Sequence, residues 1–119
     1  MPVERLRRRK DIQQLFLSGQ VVSNRIALIR YLITELTVAR AAIAPGKRLD
    51  KRAVVRNKVR RRMREALKLL PIVENVDFVI VPRAEALNLT PVVLARRLKP
   101  ILDEAGLLCL LYTSPSPRD

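Results

Sequence analysis

Residues 53–70 read AVVRNKVRRRMREALKLL, and the rest of the chain is organised around them. Val55, Val59, Met63, Ala66, Leu67 and Leu70 recur at spacings of three and four, the period of a helix with one buried stripe. Arg56, Lys58, Arg60, Arg61, Arg62, Arg64 and Lys68 take the other faces. Five Lys/Arg fall between Lys58 and Arg64, with Glu65 as the adjacent acid. Like charges at i, i+4 weaken a helix, so such a face calls for an anionic partner. A helix that is half core and half cation implies a folded domain on one side and a polyanion on the other.

The whole chain supports this division. Its 119 residues suit one domain, and 49% hydrophobic content excludes a disordered polybasic tail. The net charge of +13 implies a polyanionic partner. Residues 1–68 hold 19 Lys/Arg against 5 Asp/Glu, whereas residues 69–119 hold 5 against 6. The last third is therefore structural. There is no histidine, which removes the commonest general base and the usual metal ligand. A single cysteine, Cys109, excludes an intramolecular disulfide and a cysteine-rich zinc site. No apolar run approaches the roughly 20 residues of a membrane span. The charged N-terminus is not followed by the apolar segment of a secretory signal. These features imply a soluble protein of the reducing cytoplasm.

In order, residues 1–10 form a basic arm with the composition of a solvated tail. Ile12, Leu15 and Phe16 share a helical face, and Gly19 is a stop signal, which predicts a helix over 9–18. Residues 21–25 are a loop or strand entry. Residues 26–36 and 38–44 read as strands, and a tight connection near Thr37 predicts that they pair antiparallel. Pro45-Gly46 breaks the pattern, and the polar loop 47–52 feeds the long helix, which Pro71 ends. Residues 77–81, DFVIV, predict a central strand buried on both faces. Thr90 and Pro91 are an N-cap and a first helical residue. Val92, Val93, Ala95, Leu98, Ile101 and Leu102 then mark a helix to about Ala105, with a kink expected at Pro100.

The order α-β-β-α-β-α predicts an α/β fold, an α+β two-layer sandwich with helices packed on one small sheet. The strands flanking the long helix should be parallel neighbours through a crossover, right-handed by default. The expected domain spans 1–106. The end of the chain turns to Ser/Pro without a period and resembles translated adapter read-through at the ends of assembled environmental sequences. Residues 107–119 are expected to be a non-native or disordered tail.

A catalytic site in the protein itself is not supported. Asp11, Asp50 and Glu65 are far apart in sequence and embedded among cations, where a carboxylate serves as an ion-pair partner rather than a base. No glycine-rich phosphate loop is present. Arg56, Arg60 and Arg64, spaced by four, instead form one edge suited to bidentate contact with phosphates. Arg61 and Lys68 continue the polar surface, and binding should weaken steeply with salt. Asn57 is neutral; it can meet a base edge or 2′-hydroxyl, or cap its own backbone. Phe16 and Tyr31 could stack an unpaired base or simply be packed, whereas Phe78 belongs to the core.

AVVRNKVRRRMREAL resembles the Arg-Asn-Arg signature helix of the bacterial ribonuclease P protein family. LRRRKDIQQLFLSG is similar to that family's N-terminal segment, VSNR to its Asn-Arg step before the first strand, and DFVIVPR to its strand after the signature helix. The resemblance runs from about Leu6 to Ala105. It implies an α/β protein with a left-handed crossover whose signature helix faces the catalytic RNA of ribonuclease P. It implies a second site, a cleft between the first helix and the sheet, for the single-stranded 5′ leader of precursor tRNA. Hydrolysis that matures the tRNA 5′ end would be performed by the RNA with Mg²⁺ held by RNA and substrate, one protein per RNA. By position, Lys47, Arg48, Arg56, Asn57, Lys58, Arg60, Arg61 and Arg64 would face the RNA; Ile12, Phe16 and Tyr31 would line the leader cleft. Lys58 replaces an arginine of the signature, Ile12 a usual phenylalanine and Ala27 a common aromatic, and the loop 45–51 is one residue longer. Charge alone leaves a ribosomal-type RNA-binding protein as the alternative.

Overall fold

The computed structural model describes residues 3–109. In chain order its elements are β1 (Glu4–Arg5), α1 (Arg9–Ser18), β2 (Gln20–Ser23), β3 (Ala27–Ile33), β4 (Arg40–Ile43), α2 (Ala53–Lys68), β5 (Val76–Pro82) and α3 (Pro91–Glu104). A short 3₁₀ turn, Ala84–Ala86, precedes α3. The strands form one five-stranded sheet in the order β1-β4-β5-β3-β2. As expected, β4 and β5 are parallel neighbours joined through α2, with Ala41 opposite Phe78.

The antiparallel pair expected between residues 26–36 and 38–44 does not form. β5 lies between β3 and β4, antiparallel to the first and parallel to the second. The reason is burial. β5 is apolar on alternate and intervening positions, so both its faces and both its edges are best covered at the centre. Residues 34–39 are a loop, with Thr34 Oγ1 accepting from the backbone of Leu36.

Two strands escaped the sequence reading. β2 forms a hairpin with β3, Val21 opposite Arg30. β1 comes from the arm expected to be a solvated tail and pairs parallel with β4. Leu6 anchors it, being buried beside Leu15 and Val79. Met1 and Pro2 of that arm lie outside the described residues.

The main core fills the space between one sheet face and helices α2 and α3. Ile29, Tyr31, Ala41, Phe78 and Ile80 face Val59, Met63, Leu67, Leu94, Leu98 and Leu102. The expected stripe of α2 is buried at Val59, Met63, Ala66, Leu67 and Leu70. In α3 the stripe is shifted: Val92 is exposed and Leu94 is buried in its stead. Thr90 caps α3 by accepting from the Val93 amide at 3.3 Å, and the helix continues through Pro100. Helix α1 covers the opposite sheet face over a smaller cluster of Leu6, Leu15 and Val79, with Ile12, Leu32 and Ala42 at its margin.

Gly19 ends α1 for a reason other than left-handed backbone, since its φ is −71°. A Cβ there would lie 2.4 Å from the Leu15 carbonyl oxygen and 3.3 Å from that of Tyr31. The close approach of helix end to strand needs the missing side chain. Gly19→Ala should cost about 1–3 kcal/mol, read as a lower urea midpoint; an unchanged midpoint would mean the junction relaxes freely.

The fold extends past the expected boundary at residue 106. Leu107 and Leu108 are buried, Leu108 bridges Ile72, and the Cys109 amide donates to the Pro71 carbonyl at 2.7 Å. Apolar side chains at 107 and 108 close the end of the core, so the tail reading fails for these residues. Residues 110–119 of the expected tail lie outside the described residues.

Candidate RNA interface

Helix α2 and strand β1 meet along one edge of the sheet. They enclose a groove of about 570 Å³ lined by Arg5, Asn57, Arg60, Arg61, Arg64 and Lys68, with Val3 and Glu65. Glu65, the acid in this lining, is paired with Lys68 at 3.2 Å, so four arginines and that pair share the groove. The most enclosed is Arg64. Burial lowers its pKa, and Arg5, Arg60 and Arg7 push the same way, though an arginine remains charged at neutral pH. Its Nη2 donates to the Ala41 carbonyl at 3.2 Å, while its buried Nε has no partner. Concentrated positive charge in a concave site focuses potential on an anion.

The row of arginines is not uniform. Arg56 folds back, Nη1 donating to the carbonyls of Asp50 at 3.0 Å and Lys51 at 2.8 Å. It fastens the loop to the helix start. Arg62 donates to the Leu87 carbonyl at 3.1 Å and ties α2 to the turn before α3. Arg60, Arg61 and Lys58 are exposed. Asn57 Oδ1 accepts from Arg60 Nη1 at 2.6 Å instead of capping its own backbone. The amide holds Arg60 in one pose over the groove. Arg5 was missed because residues 1–10 read as a tail; Val3 and Leu6, the apolar residues flanking Glu4 and Arg5, were the available signal.

Lys47 and Arg48 are exposed in the turn ahead of α2, apart from the groove's lining. That turn is organised by Asp50, whose Oδ1 accepts from the Arg52 amide at 2.8 Å and whose Oδ2 accepts from Arg52 Nη2 at 3.0 Å. The Arg52 side chain and then its amide pull the Asp50 pKa from 3.8 to about 2. A depressed carboxylate stabilises the fold fully above its ordinary pKa and loses that contribution as pH falls through the folded value. The Asp50 turn should therefore hold at pH 4 and weaken toward about pH 2. A carboxyl titration by NMR should place the Asp50 midpoint near 2, and a midpoint near 3.8 would overturn this.

The second expected site is split by the sheet. Ile12 and Phe16 lie on α1, over the β3 face that carries Leu32. Tyr31 points the opposite way, into the main core, with its hydroxyl donating to Gln20 Oε1 at 3.0 Å. Its neighbour Arg30 occupies the α1 side, the guanidinium 5.2 Å from the Phe16 ring centre. The sequence reading overlooked strand parity: Ala27, Ile29 and Tyr31 share the core face, so Leu28, Arg30 and Leu32 share the other.

At the far side of α1 an ion-pair cluster fixes the helix to the sheet. Arg40 forks onto Asp77, Nε donating to Oδ1 at 2.8 Å and Nη2 to Oδ2. Arg40 Nη1 also lies 3.5 Å from Asp11 on α1. Asp77 is the buried charged residue of the described chain, at 7% exposure. The Asp77 hydrogen bond raises the Arg40 pKa further, against the desolvation that lowers it.

A small α/β domain with a cationic groove at one sheet edge, and a half-exposed Phe16 carrying the Arg30 guanidinium on the sheet face opposite its main core, has the features of an RNA-binding protein. The chain belongs to the ribonuclease P protein family, whose profile matches residues 2–106. It is 35% identical over 107 residues to the ribonuclease P protein component of Symbiobacterium thermophilum, covering 87% of this chain and 92% of that one. Identity to the component of Streptococcus equi subsp. equi is 37% over 105 residues, 87% of each chain. The Staphylococcus aureus ribonuclease P protein structure superposes with a TM-score of 0.76 at 26% identity, covering 90% of this chain and 99% of that one. The Thermotoga maritima protein shares the fold, with a TM-score of 0.75 at 23% identity over 85% and 96% of the two chains. The function is that of the family: the chain is the protein part of an endoribonuclease ribonucleoprotein that processes the 5′ leader of tRNA, and RNA is its partner in that complex. Among the described residues, no helix is long and apolar enough to cross a membrane.

Proposed function

We propose that the groove between α2 and β1 docks the catalytic RNA, and that the cleft under α1 receives the single-stranded leader of precursor tRNA. The observation that carries this is the convergence of Arg5, Arg60, Arg61 and Arg64 on one concavity whose lining acid, Glu65, is paired with Lys68. Lys58 is exposed on the same helix, and Lys47, Arg48 and Arg56, outside the groove's lining, would add cationic contacts from the turn ahead of it and the helix start. Phosphates of a folded RNA relieve the repulsion that the arginines suffer alone. Ile12 and Phe16, rather than Tyr31, supply the apolar lining of the leader cleft.

Among the described residues no three His, Cys, Asp or Glu converge, and Asp11, Asp50 and Asp77 are each taken by an arginine. In this reading Mg²⁺ is held by the RNA and the substrate phosphates, and the complex holds one protein per RNA in the cytoplasm. Reconstitution with a bacterial ribonuclease P RNA at low Mg²⁺, assayed on precursor tRNA, tests the proposal. Stimulated cleavage is expected. Tight RNA binding with no stimulation at any Mg²⁺ concentration would instead favour a ribosomal-type role.

A further inference from the structure

The face of the sheet under α1 carries two arginines that the fold treats in opposite ways. Arg40 is fully committed, forked onto Asp77 and close to Asp11. Arg30 has no such partner. Its Nε is buried without a hydrogen bond, and no ion pair reaches its guanidinium among the described residues. What it does have is a ring: the guanidinium carbon sits 5.2 Å from the centre of Phe16. Burying a donor without an acceptor costs free energy, and stacking on an aromatic face holds the guanidinium in one plane. The result is a fixed fork of donors whose buried Nε has no acceptor among the described residues.

The surroundings say what that acceptor is. Val21 lies opposite Arg30 on β2, Val79 opposite it on β5, and Phe16 keeps 46% of its surface exposed. An apolar wall with an open aromatic edge suits the plane of an unpaired base better than a hydrated phosphate. Guanine (O6 and N7) and, in a single strand, cytosine (O2 and N3) offer two adjacent acceptors to such a fork, and guanine, the purine, covers more of an aromatic face; adenine replaces one of the purine acceptors with a donor.

We propose that Arg30, seated on Phe16, is the base-reading residue of the α1 cleft and selects a guanine in the single-stranded 5′ leader. This rests on the reading of the cleft as the leader site. The arginine then sets leader preference, and the α2 groove sets affinity for the catalytic RNA.

The test uses the reconstituted complex and precursor tRNAs whose leaders carry G, A, C or U at each position in turn, with a leaderless tRNA as reference. The wild-type complex should bind guanine better at one position by roughly tenfold, the scale of one bidentate base contact. Arg30→Ala and Arg30→Lys should both flatten that preference, because lysine keeps the charge and loses the fork. No guanine preference at any position would overturn the assignment without any variant being made. So would a preference that survives Arg30→Ala, or a loss equal for all four bases, which marks a phosphate contact. If leadered and leaderless tRNAs bind alike, the cleft itself is misassigned and the proposal falls with it.

Discussion

Arg40→Met is expected to destabilise the fold by about 3–5 kcal/mol, the scale for stranding one charge of a buried pair. Asp77 is 10% exposed at its side chain and Arg40 23%, so water cannot readily replace the lost partner. The change also frees Asp11, and with it the hold of the sheet on α1. Against a typical total of about 5–15 kcal/mol, this is a large share of stability. The double variant Arg40→Met with Asp77→Leu should recover most of the loss, since an apolar pair of similar volume removes both charges at once. Urea unfolding of the four forms measures the coupling. A single-variant cost below about 1 kcal/mol would show that the pair behaves like an exposed surface bridge.

Arg60→Ala combined with Arg61→Ala should weaken binding to the catalytic RNA by roughly ten- to a hundredfold at about 0.1 M salt, with thermal stability unchanged. Each phosphate contact removed lowers the slope of log affinity against log salt by about one, so the pair should lower it by about two. Both side chains are exposed, and Arg60 bonds only the neighbouring Asn57, so no tertiary contact is lost. Arg62→Ala is the contrasting case. It removes the bond to the Leu87 carbonyl between α2 and the turn before α3, and should lower stability while sparing the salt slope. An Arg60/Arg61 variant with the wild-type slope would place the RNA elsewhere on the surface. Arg64 is unsuited to this test because it also serves the Ala41 carbonyl.

What the sequence disclosed follows from how locally each feature is encoded. Helices α1, α2 and α3 carry their own period and punctuation, and their positions were legible to within a few residues. The burial of β5 was legible from DFVIV alone, but its neighbours were not. Pairing between strands is non-local, and a short loop at Thr37 is a weaker constraint than an apolar strand with two faces to cover. β1 and β2 are two and four residues long, too short to show alternation against a charged background. The candidate site divided the same way. A run of arginines is visible in any reading, whereas which of them bind their own backbone depends on carbonyls placed by other elements. Arg30 and Tyr31 exchange roles through a single step of strand parity, which an uncertain strand start cannot fix.

The central position of β5 has a consequence for the order in which the molecule can be assembled. β3 with β2, and β4 with β1, are made first and share no hydrogen bonds across the gap between them. The arginine helix follows them off the ribosome with its apolar side uncovered by most of the core it will join. Only when residues 76–82 emerge can one strand bridge the two halves and give that helix a floor. A nascent chain halted before Val76 would therefore carry its full cationic charge on an unassembled sheet.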